Sequence, residues 1–116
     1  MEKGMAAAFV LDKASILERL GGDEEIYDMM VSMYLADIDN NCAALAAAYA
    51  AEDARALQRE AHTIKGLLAT FSDETGAAEA HRVERAAKAG ELADLADAVA
   101  GLQGRLREVA DVLRAG

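Results

Sequence analysis

The chain has 116 residues, which fits one domain, and with 53% hydrophobic and 28% charged residues it can bury a core and stay soluble. Twelve Lys+Arg against 21 Asp+Glu give a formal charge of −9, which repels a phosphate backbone and argues against nucleic-acid binding. There is no proline or tryptophan, aromatics are 4%, and 28 residues are alanine, so helices are favoured and strands are not. The single cysteine, Cys42, has no internal disulfide partner, which suits a reducing cytoplasm. No apolar run reaches membrane-spanning length, and the opening Met1–Val10 stretch lacks a signal-peptide core because Leu11-Asp12-Lys13 ends it. A cytoplasmic location without membrane contact is expected.

Residues 1–10 read as a loose N-terminal arm, and residues 11–116 as one helical domain. Asp12 is a plausible N-cap for a short helix through Leu20, with Ile16, Leu17 and Leu20 inward, and Gly21 supplies a left-handed C-cap. Asp23 opens the next helix, where Glu24 and Glu25 suit the positive end of the dipole. Tyr27, Val31, Tyr34, Ile38, Cys42, Leu45 and Tyr49 then recur at three and four, and Ile26, Met30 and Met33 widen the stripe. This predicts a helix over 23–50, with Asp37, Asp39, Asn40 and Asn41 as its weak point for a bend or break. Met29, Met30 and Met33 read as core filler more than as a binding surface.

Asp53 caps a third helix that reaches about Phe71, with Leu57, Ala61, Ile64, Leu68 and Phe71 as its buried stripe. Ser72 or Asp73 caps a fourth, which turns Gly76, Ala80, Val83 and Ala87 inward and ends at Gly90. The last helix carries Leu92, Leu95, Val99, Leu102, Leu106, Val109 and Leu113. Short connections between long helices force antiparallel neighbours. The expected fold is all-α: an antiparallel up-down four-helix bundle with a short additional N-terminal helix.

The third helix carries a second, polar stripe: Arg55, Gln58, Arg59, His62, Lys65, Gly66 and Ala69. A glycine inside a helix costs about 0.5–1 kcal/mol relative to alanine. Gly66 therefore asks what must come close to His62, one turn away. A lone exposed histidine is most often plain solvated surface, and so are Lys65 and Arg59 taken singly. His81, beside Glu84, Arg85 and Lys88 on the polar side of its helix, reads as surface. No further Cys/His cluster supplies metal ligands, and no glycine-rich loop supplies a nucleotide site.

His62-Thr63-Ile64-Lys65-Gly66 resembles the H-x-[LI]-K-G motif of histidine-containing phosphotransfer (HPt) domains. The likeness extends to Leu20-Gly21-Gly22-Asp23, to Asp53, Leu57 and Ala61 ahead of the histidine, and to Val83-Glu84 downstream, covering roughly residues 9–113. Family members often have small residues after the Lys-Gly pair and a glycine about ten positions past the histidine, where this chain has Leu67, Leu68 and Ser72.

The resemblance implies a phosphorelay protein of two-component signalling. A receiver domain phosphorylated on aspartate passes the group to His62, which hands it to another receiver. Lys65 neutralises phosphate charge and Gly66 gives clearance for the partner, while Gln58, Arg59, Leu67 and Ala69 are candidate partner contacts. The chain itself needs no cofactor, since Mg²⁺ belongs to the receiver, and it is a covalent carrier without its own kinase or ATP site. Partners are receiver domains or a hybrid sensor histidine kinase, and a monomer is expected because the bundle buries its own stripes. The alternative is a docking module that binds a receiver without carrying phosphate.

Overall fold

A computed structural model describes residues 7–116. They form α1 (Lys13–Arg19), α2 (Glu24–Ala50), α3 (Ala54–Thr70), α4 (Glu74–Lys88) and α5 (Ala96–Ala115), with no strand among the described residues. The all-α class is the one expected. Four of the five helices begin at an aspartate whose side chain accepts from the first turn: Asp12 from the Ser15 amide, Asp23 from Glu25 and Ile26, Asp53 from Ala56, and Asp73 from Gly76. Each bond satisfies an amide that the helix leaves without a partner.

The helices neighbour one another in a ring, α2 on α3, α3 on α4, α4 on α5 and α5 back on α2, with α1 against α2. The apolar stripes meet inside this ring, where Leu45, Leu57, Ile64, Leu68, Leu102 and Leu106 are fully buried. Tyr34 packs edge-on against Phe71 at 5.5 Å and donates its hydroxyl to the Leu106 carbonyl at 2.8 Å, tying α2 to α5. Burial pushes the Tyr34 phenol well above its ordinary pKa.

Several details differ from the expectation. The second helix runs unbroken through residues 37–41, because Asp37, Asp39 and Asn40 face solvent and do not compete for its backbone ladder. The last helix starts at Ala96; Leu92 and buried Leu95 belong to the turn before it, where apolar spacing alone resembles helix. Of the methionines read as core filler, Met30 packs against the core, but Met29 and Met33 are 58% and 63% exposed. They share that exposed face of α2 with Ile26, also expected in the buried stripe and 43% exposed. With only the inward half of α2 covered by its neighbours, a wider apolar stripe spills into solvent.

Residues 1–6 of the expected arm lie outside the described residues. Residues 7–10 have no regular structure but are tied down. Phe9 is buried and its amide donates to Glu108, while the Ala7 carbonyl accepts from Arg105 at 2.6 Å. Arg105 is itself buried and holds Asp73 through two bonds of 2.7 Å. This pair, absent from the sequence reading, links α5 to the cap of α4. It also explains Gly76: a Cβ there would run into the Asp73 carboxylate and lie 2.8 Å from Leu68 Cδ1.

The end of the third helix matters for the site. Ser72 takes the left-handed conformation, φ 63°, at the position where glycine is usual, and the Asp73 amide closes the turn on the Leu68 carbonyl. Arg19 holds that turn from α1, donating to Ser72 Oγ at 2.8 Å and to the Thr70 carbonyl. Serine serves in place of glycine because its hydroxyl has a partner here.

Candidate functional site

Small residues bring α3 and α4 together. Ala61, Ala80 and Ala87 are buried along with Gly76, so the two helices approach closely and their polar edges face each other. His62 and Lys65 project from α3, and His81 and Glu84 from α4. The four side chains meet. His62 Nδ1 lies 2.9 Å from Glu84 Oε2, and Lys65 Nζ lies 2.8 Å from Glu84 Oε1. His81 Nδ1 is 3.4 Å from Lys65 Nζ and 3.6 Å from Glu84 Oε1.

Glu84 is the centre of the cluster. Its side chain is largely covered, and its carboxyl is held below the ordinary carboxylate range, chiefly by Lys65 and also by His62, against the opposing effect of burial. An ionised carboxylate has no proton to give. The bond to His62 must therefore run from Nδ1–H to Glu84, and in the neutral imidazole this leaves the lone pair on Nε2. The His62 side chain is 67% exposed. The Lys65 ammonium sits between the Glu84 carboxylate and the His81 ring, at 2.8 Å from Oε1 and 3.4 Å from Nδ1.

The remaining sequence candidates divide. Gly66 is exposed, and a Cβ added to it would meet nothing within 4 Å, so the chain's own packing does not require glycine there. Gln58 and Arg59 lie beside His62 and Glu84 along the α3–α4 groove, joined by Arg55. Ala69 is exposed, but Leu67 is half-buried and packed on the core, because it adjoins the buried Ile64–Leu68–Phe71 stripe. Sequence reasoning treated His81 as plain surface and gave Glu84 no role. The only signal was the Val83-Glu84 pair, since which residue of α4 faces His62 depends on how the two helices pack. Among the described residues no group of three or more His, Cys, Asp or Glu is arranged to hold a metal ion, and no helix is long and apolar enough to cross a membrane.

The family model for the Hpt domain matches residues 29–116, including every member of this cluster. The chain belongs to the Hpt domain family. It is thus a histidine phosphotransfer module of two-component systems, a family of phosphotransfer carriers rather than kinases whose domains interact with receiver domains and histidine kinases. Two solved structures share its fold. One is histidine-containing phosphotransfer protein B from Pseudomonas aeruginosa PAO1, with 23% identity and a TM-score of 0.81, over 94% of this chain and 95% of that one. The other is the HPT domain of the Hpt sensor hybrid histidine kinase from Shewanella, with 17% identity and a TM-score of 0.79, over 90% of this chain and 91% of that one. No curated protein matches this Hpt domain by sequence.

Proposed function

We propose that His62 is the phosphoacceptor of this Hpt domain, taking a phosphoryl group from a receiver-domain aspartate and passing it to another receiver. The observation that supports the reading is the His62–Glu84 bond: with Glu84 ionised it favours the proton on Nδ1 and leaves Nε2 as the nucleophile. Nε2 attacks the phosphorus of the aspartyl phosphate, the N–P bond forms, and the P–O bond to the aspartate breaks, releasing a carboxylate. The imidazole becomes a phosphoimidazolium still protonated at Nδ1, and the Glu84 carboxylate balances its charge, so no proton has to leave. A second receiver's aspartate reverses these steps. Phosphoryl transfer asks a protein mainly for in-line positioning and charge neutralisation. Lys65 supplies charge by turning from Glu84 to the phosphate oxygens, and the bare helix face at Gly66 admits the partner's active-site loops. Mg²⁺ and the remaining catalytic groups belong to the receiver.

Ile26, Met29 and Met33 form an exposed apolar face on α2, the neighbour of α3, and supply the docking contact, to which Ala69 and the exposed part of Leu67 on α3 add. The test is phosphotransfer from receiver domains charged with acetyl phosphate and Mg²⁺. Acid-labile label is expected on the wild type and none on His62→Gln, whose fold is unchanged because the side chain is exposed. Binding without label across a receiver panel would replace this reading with a docking module. Label surviving the substitution would move the acceptor to His81.

A further inference from the structure

Charge is distributed unevenly around His62. α2 carries five acidic residues and no Lys or Arg. α3 and α4 together carry six Lys or Arg against four Glu, a net positive pair within a chain of charge −9. Two of the six are committed: Lys65 to Glu84 and Arg82 to Glu79, the latter through bonds of 2.7 and 3.1 Å. Arg55, Arg59, Arg85 and Lys88 are exposed and have no ion-pair partner among the described residues.

These four cations flank one groove. Its first part is lined by Arg55, Gln58, Arg59, His62 and Glu84, and its second by Gln58, His81, Glu84, Arg85, Lys88 and Ala89. Gln58 and Glu84 belong to both parts, so the two adjoin between the helices, with His62 lining the first. In an acidic chain, two such cations beside His62 and two more along the adjoining part of the groove, unpaired among the described residues, present a local field opposite in sign to that of the whole molecule.

We propose that this groove is an electrostatic guide for an acidic protein surface, the carboxylate-bearing rim around a phosphoaspartate and its Mg²⁺ site. The inference rests on the carrier reading and adds the part of the surface that selects and steers the partner. Such a partner is itself anionic, so the −9 charge of this chain opposes the encounter and the groove offsets that repulsion where it counts. Exposed charges of this kind set the association rate and its salt dependence more than the lifetime of the complex. The apolar α2 face has the complementary role, holding the complex independently of salt.

The experiment compares two matched double variants, Arg55→Gln/Arg85→Gln in the groove and Arg107→Gln/Arg114→Gln on α5, which lower the net charge equally. Binding to an isolated receiver domain of net negative charge is measured between 50 and 300 mM salt, with the transfer rate at saturating receiver followed in parallel. The groove double is expected to weaken binding at low salt by about fivefold, mainly through the association rate, with a flatter salt dependence. The α5 double is expected to change it less than twofold and to leave saturated transfer unchanged. Equal affinities and equal salt slopes in the two doubles would overturn the proposal. So would saturable binding of inorganic pyrophosphate at 150 mM salt that the groove double loses, since that would make the groove a small-anion site. Absence of transfer in the wild type would count against the carrier reading alone, because the binding comparison does not depend on phosphate.

Discussion

Two glycines in adjacent helices should respond to the same substitution with opposite sign. Gly66→Ala places a methyl group where nothing lies within 4 Å, on a residue with helical backbone. The substitution removes backbone freedom from the unfolded chain and costs no clash, so it should stabilise by about 0.5–1 kcal/mol. For a domain of this size that is about 3–5 °C in Tm, or about 0.5 M in urea midpoint at an m-value of about 1.5 kcal/mol/M. Gly76→Ala gains the same helix propensity but drives its Cβ into the Asp73 carboxylate and within 2.8 Å of Leu68 Cδ1. Neither neighbour can yield easily: Asp73 is gripped by both its hydrogen bonds to Arg105, and Leu68 is fully buried. Overpacking of this kind costs about 1–3 kcal/mol, leaving a net loss of about 1–2 kcal/mol. Urea unfolding of the two variants beside the wild type gives both signs in one experiment. Phosphotransfer is then measured on Gly66→Ala, the more stable protein, where a methyl on the approach path should slow transfer about tenfold or more. A Gly66→Ala protein that is no more stable than wild type would refute the open-space reading. One that is more stable and transfers at the wild-type rate would show that clearance is not what the glycine is for.

Other outcomes follow from the same geometry. Arg105→Ala leaves Asp73 buried without its partner and frees the Ala7 carbonyl, so unfolding measurements should show a loss of about 3–5 kcal/mol. Glu84→Gln removes the charge that balances the phosphoimidazolium and should lower the transfer rate about tenfold, equal to about 1.4 kcal/mol, with helicity unchanged; an unaltered rate would remove Glu84 from the mechanism. The Glu84 carboxyl is held below its ordinary value of 4.5 in the folded state, so its contribution to stability is complete above that value and disappears as the pH falls through the lowered one. Glu84→Gln should therefore flatten the acid limb of the stability curve below about pH 4.5, as read by thermal unfolding across pH.

Much of this protein was legible in the sequence. The alternation of three and four in each helix, an aspartate at the head of four of them and glycines at several ends specify helix type and approximate bounds, because these signals are local. The stripe through Leu57, Ala61, Ile64, Leu68 and Phe71 is buried as its spacing requires, and that burial puts His62, Lys65 and Gly66 on the opposite edge. Where local signals misled, a neighbour decided. Asp and Asn at 37–41 read as a weak point, yet Asp37, Asp39 and Asn40 stay in solvent and leave the helix ladder intact. Met29 and Met33 read as core, yet among the described residues no helix covers that side of α2.

The site was half legible for the same reason. The sequence by itself determined that a histidine, a lysine one turn on and a bare glycine share an exposed helix face, because spacing within one helix is fixed at 3.6 residues per turn. Only the tertiary structure decided which residues of α4 meet that face. The close approach allowed by Ala61, Gly76 and Ala80 sets the register that places Glu84 within 2.9 Å of both His62 and Lys65 and brings His81 alongside. It likewise placed Arg105 against Asp73 across 32 positions of chain and brought four cations from two helices along the groove that His62 lines. Periodicity fixes the direction of a side chain about its own helix axis. The partner it meets depends on the packing of two axes, and that is set by all the side chains between them at once.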